Sequence, residues 1–96
     1  MGLDIERVKE LFELCLKVNG NEGRKSNVTG DKPTVMFEYR GHINAVFIRV
    51  YAHGWKEYAD KDREIAIYNW YDAERFDRKI SDIMNYLRSL IYDADD

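Results

Sequence analysis

A chain of 96 residues and 11.4 kDa has room for one compact core and not for two, since independent domains run to about 50–250 residues. Hydrophobic residues at 45% and aromatics at 14% exclude a disordered chain, and no apolar run reaches the ~18–20 residues that span a bilayer. The net charge of −3 sits at one end: residues 1–33 and 34–71 are each balanced, so the acidic excess falls in 72–96.

Asp4 suits the N-cap of a first helix. Behind it Ile5, Val8, Leu11, Phe12, Cys15 and Leu16 recur at i, i+3, i+4 spacing and predict a single stripe facing the core. Asn19-Gly20 ends the helix, and residues 19–33 read as a loop with three glycines and a closing Pro33. At this length a connection is either functional or mobile, and Arg24-Lys25 is its candidate contact.

Thr34 to Arg40 predicts a strand in which Val35, Phe37 and Tyr39 alternate with polar neighbours, closed by a turn at Arg40-Gly41-His42. Ile43 to Ala52 predicts a second strand. Gly54 suggests a bulge there, with the strand continuing through Trp55 to Tyr58. Ala59-Asp60-Lys61-Asp62 reads as a hairpin tip and Glu64 to Trp70 as the third strand. Asp72 then caps a second helix with the stripe Phe76, Ile80, Ile83, Met84, Leu87, Leu90 and Ile91. The expected architecture is α+β, a three-stranded antiparallel meander with two helices on one face. One domain is expected over 1–92, with 93–96 as an acidic C-terminal tail.

Nothing in the chain has the spacing of a catalytic or metal site, and no cofactor is implied. His42 and His53 fall in predicted turns, and Cys15 lies on the apolar stripe, where a free thiol behaves as a small hydrophobe. Asp60-x-Asp62-x-Glu64 is not a calcium loop, because Ile65 and Tyr71 stand where the glycine and the closing glutamate belong. No glycine-rich phosphate loop occurs. The start of the chain lacks the layout of a signal peptide, and one cysteine fits a reducing compartment, so a cytoplasmic, non-enzymatic protein is expected.

The α-β-β-β-α order over residues 4–92 resembles the double-stranded RNA-binding domain, which grips phosphates with lysines at the start of its second helix. The matching stretch here, Asp72-Ala73-Glu74-Arg75-Phe76-Asp77-Arg78-Lys79, sets three acids before its basic pair, and those acids would partly repel a phosphate backbone. The order is also similar to that of small inhibitors encoded by phages, some anti-CRISPR proteins among them.

Parity supplies the functional expectation. If Val46, Ile48 and Val50 face the helices, then Phe47, Arg49 and Tyr51 turn to the open face of the sheet. Tyr68 and Trp70 would join them from the third strand, with Trp55 nearby. Aromatics and Arg on one exposed face are the composition of a protein-binding hot spot, so the expected partner is another protein or a second copy. The alternative is nucleic acid, its bases stacked on these rings with Arg49, Arg24 and Lys25 on the backbone. A neutral body argues against it, because phosphate binding draws on a basic face.

Overall fold

The computed structural model describes residues 2–21, 23–24 and 30–94, the last three as backbone only. Helix α1 covers Ile5–Asn19, strands β1, β2 and β3 cover Thr34–Arg40, Ala45–Tyr51 and Arg63–Tyr68, and helix α2 covers Ala73–Ala94. The fold is α+β, with three antiparallel strands in one sheet in the order β1-β2-β3.

Both caps form where the sequence places them. Asp4 accepts from the Arg7 N–H at 3.3 Å, and the Asp72 carboxylate from the Arg75 N–H at 2.7 Å; each satisfies a donor that the first helical turn leaves open. Gly20, at φ +75°, returns its N–H to the Leu16 carbonyl in a left-handed conformation suited to glycine.

The register places Phe37 opposite Ile48 and Val46 opposite Ile67, and directly opposed residues share a face. That face carries Val46, Ile48, Val50 and Ile67, all fully buried beneath Leu11 and Cys15 of α1 and Ile80, Ile83, Met84 and Leu87 of α2. Arg7 ties the helices together, reaching Asp77 at 2.8 Å and Ser81 at 3.0 Å. Among the described residues no helix is long and apolar enough to cross a membrane.

Three expectations need correction. The second strand starts at Ala45 and stops at Tyr51, with no bulged continuation through Trp55 to Tyr58. Gly54 at φ +102° and Tyr58 at φ +67° turn the backbone away from extended geometry. Asp62 then closes the loop over 52–62, its carboxylate accepting from the Ala52 N–H and its own N–H donating to the Val50 carbonyl. The third strand ends at Tyr68, leaving Trp70 in the turn before α2. The second helix runs over Ala73–Ala94. Finally, the α1 stripe divides: Leu11 and Cys15 are buried, whereas Ile5, Phe12 and Leu16 are exposed. Of the predicted loop, residues 22 and 25–29, Lys25 included, lie outside the described residues.

Candidate functional site

Parity along β2 places the residues of the expected face together. Phe47, Arg49 and Tyr51 point away from the helices, and Tyr68 lies on their side through its pairing with Ala45. The chain's own side chains largely cover these rings. The Arg40 guanidinium sits 4.0 Å over the Phe47 ring, and Tyr68 meets Phe47 edge-on at 5.9 Å. Trp70 stacks on Tyr68 at 5.4 Å and meets Tyr71 edge-on, while Arg75 lies 4.1 Å over Tyr71. Tyr51 is buried, Phe47, Arg49, Trp55 and Tyr68 are half-buried, and Trp70 alone of the set is exposed. Arg24 is structural: its guanidinium donates to the Thr34 hydroxyl at 2.7 Å and to the carbonyls of Asn19 and Pro33, locking the end of α1 to the start of β1.

The exposed apolar surface gathers elsewhere, along the side formed by α1 and β1. Offsets of 7 and 11 set Ile5, Phe12 and Leu16 on one line of the helix, roughly 100° round from the buried Leu11 and Cys15 at 3.6 residues per turn. Phe12 lies against Phe37 of β1, ring centroids 5.1 Å apart. Where α1 stands back from the other end of β1, an apolar groove of about 530 Å³ opens, walled by Ile5, Val8 and Phe12 and floored by Phe37 and Tyr39. Tyr39 is held there by its hydroxyl, which donates to Asn44 Oδ1 at 2.7 Å. Asn44 itself sits at φ +47°, a left-handed turn position that asparagine tolerates.

The outer edge of β1 borders the same groove. The Val35 N–H donates to Asn19 Oδ1 at 2.7 Å, and Asn19 Nδ2 donates to the Val35 carbonyl at 2.9 Å. Both main-chain groups of Val35 therefore point away from β2. Antiparallel alternation points those of Phe37 and Tyr39 the same way, and no hydrogen-bond partner for them is found among the described residues. Sequence reasoning missed this site because it assigned Ile5 and Phe12 to a stripe facing the core and made no assignment of a face for Tyr39. The available signal was the width of the α1 pattern, whose six apolar positions are more than one buried stripe of the helix holds.

Among the described residues, titratable groups form no reactive constellation. Cys15 is 2% exposed, and burial pushes its thiol up from 9.0 to about 12, so it is a thiol and not a nucleophilic thiolate at neutral pH. An aromatic disulfide reagent should leave Cys15 unmodified in the folded protein and titrate it once denaturant is added; immediate reaction would show that α1 opens freely. With its folded value raised, Cys15 contributes stability that is complete below pH 9.0 and is lost as the pH rises towards about 12. Lys61 donates to Glu64 at 2.7 Å, which raises the lysine and lowers the glutamate. Among the described residues no cluster of three His, Cys, Asp or Glu could hold a metal ion, and no buried side-chain polar atom lacks a partner.

No protein-family model, curated protein or solved structure matches this chain. Its function is therefore argued from its own surface.

Proposed function

We propose that this chain is a small non-catalytic protein-binding module whose binding surface is the side formed by α1 and β1. The observation that carries this reading is the contiguous apolar surface around the groove, where Ile5 is 71%, Phe12 45% and Tyr39 53% exposed. Single exposed apolar residues are ordinary on a monomer, but a connected set beside a groove marks an interaction site. An unpaired strand edge along that groove adds a main-chain template of the kind used in strand addition. An inhibitor or adaptor from a mobile element, acting in the cytoplasm, is one concrete form of such a module. A second surface is favoured by Trp70, which is 55% exposed in the turn after β3, stacked on Tyr68 of the open sheet face with Arg75 5.5 Å from its ring.

Site-specific crosslinking separates the two surfaces. A photoreactive phenylalanine analogue placed at position 12, at position 70, or at exposed position 74 as a control should yield a protein adduct from position 12 when irradiated in lysate. The adduct will be either a second copy or another protein. Adducts from position 70 alone would move the surface to the open sheet face. Adducts from neither position beyond the control level would overturn the module reading.

A further inference from the structure

The two free edges of the sheet are bordered differently. Beside β3 stand Arg63, Glu64, Lys79 and Asp82, charges of the kind that keep edge strands from pairing. Beside β1 lies the apolar groove. Its Val35 position is closed by Asn19, while Phe37 and Tyr39 direct their N–H and C=O groups outward. What covers this edge must supply donors and acceptors at strand spacing.

We propose that the occupant is a second copy of this chain, joined β1 to β1 in antiparallel fashion about a two-fold axis at Tyr39, so that the two three-stranded sheets become one. The proposal rests on the reading of the α1–β1 side as the binding surface. Sterics and charge select the register. Centring the axis on Phe37 would set Val35 against the partner's Tyr39, but Asn19 already holds both main-chain groups of Val35. Centring it on Glu38 would set that carboxylate directly against the partner's Glu38, and like charges in direct opposition are destabilising. Centring it on Tyr39 sets Glu38 against the partner's Arg40 and Arg40 against the partner's Glu38. Tyr39 then exchanges both main-chain hydrogen bonds with the partner's Tyr39, and the Phe37 carbonyl meets the N–H of Gly41 of the partner subunit.

In this register the edge is its own complement in charge as well as in hydrogen bonding. Within one chain Glu38 and Arg40 already pair at 3.0 Å, so both side chains stand on the open face beside the seam. The apolar row of α1 extends past the groove to Leu16, which is 54% exposed.

Sedimentation velocity over a concentration series, with circular dichroism to confirm folding, tests the assembly. The unaltered chain should move from 11.4 kDa to twice that mass. Glu38→Arg alone and Arg40→Glu alone should each weaken association by about tenfold or more, since two favourable cross-strand pairs become two repulsive ones. An equimolar mixture of the two variants should recover the double mass, because each then meets its opposite charge at both positions. A chain that stays monomeric up to several hundred micromolar (about the range in which weak specific contacts register) overturns the inference. So does a dimer that both single variants leave intact, since it must use another face. If position 12 crosslinks only to a different protein, self-association fails and the module reading stands; if neither position 12 nor position 70 crosslinks beyond the control level, both fail.

Discussion

Leu87→Ala is expected to lower the folding free energy by about 2–5 kcal/mol, the range for truncating a fully buried leucine. Leu87 is 0% exposed on α2, within the cluster that includes Ile80, Ile83 and Met84 and the sheet residues Ile48 and Ile67. Two terms add. The removed methyl groups lose their transfer out of water, and the cavity forfeits contacts that a rigid sheet cannot close up to replace. Domains of this size hold only about 5–15 kcal/mol in total, so the thermal midpoint should fall by at least about 8 °C at the usual ~4–8 °C per kcal/mol. Arg88→Ala, next in sequence but on the wet face, loses a hydrogen bond to Asn85 at 3.2 Å and should stay within about 0.5 kcal/mol. Equal effects from the two substitutions, measured by chemical denaturation, would show that α2 does not lie on the sheet along its apolar stripe.

These contrasts also show what the sequence makes legible. The caps at Asp4 and Asp72, the period of α2 and the parity of β2 are local properties, each readable from a few neighbours, and each is present in the folded chain. What escapes local reading depends on how elements are placed against one another. A helix pattern containing Ile5, Leu11, Phe12, Cys15 and Leu16 shows that α1 is broadly apolar, but not that the sheet is too narrow to cover all of it. Tyr39 continues the alternation of Val35 and Phe37, yet it is 53% exposed because α1 stands back at that end of β1. The missed turn after Tyr51 has a similar origin. Gly54 fits a bulge as readily as a turn, and the deciding contact is the Asp62 carboxylate, ten residues along from Ala52. The aromatic face was legible as a set of positions. Its covering was not, since Arg40 over Phe47 and Trp70 on Tyr68 are contacts of side chains whose conformations the sequence does not fix.

The second large effect is expected at the junction that decides how much of the β1 edge is free. Asn19 is the last residue of α1, and its amide both accepts from and donates to Val35, so one side chain stands in for a neighbouring strand. Asn19→Ala removes both bonds at once and leaves the Val35 N–H and C=O facing the edge unpaired. Each such group costs about 1–3 kcal/mol when it is shut away from water. The site is part-buried and water can reach one side, so a total of about 1–3 kcal/mol is expected in place of the full sum. Asn19→Asp should be as damaging, because a carboxylate can still accept from the N–H but faces the Val35 carbonyl with no proton to offer. Hydrogen exchange supplies the specific readout. In Asn19→Ala the Val35 amide should lose protection by roughly tenfold or more beyond the global change, while the amides of Met36 and Glu38, which face β2, shift only with overall stability. Uniform loss along β1 would mean that Asn19 supports the whole strand and does not close its edge. If the edge is a self-pairing seam, the same substitution frees Val35 and makes the Phe37-centred register available. The variant should then associate even though Glu38→Arg is present, because that register sets position 38 opposite the partner's Met36 and no longer opposite the partner's Arg40.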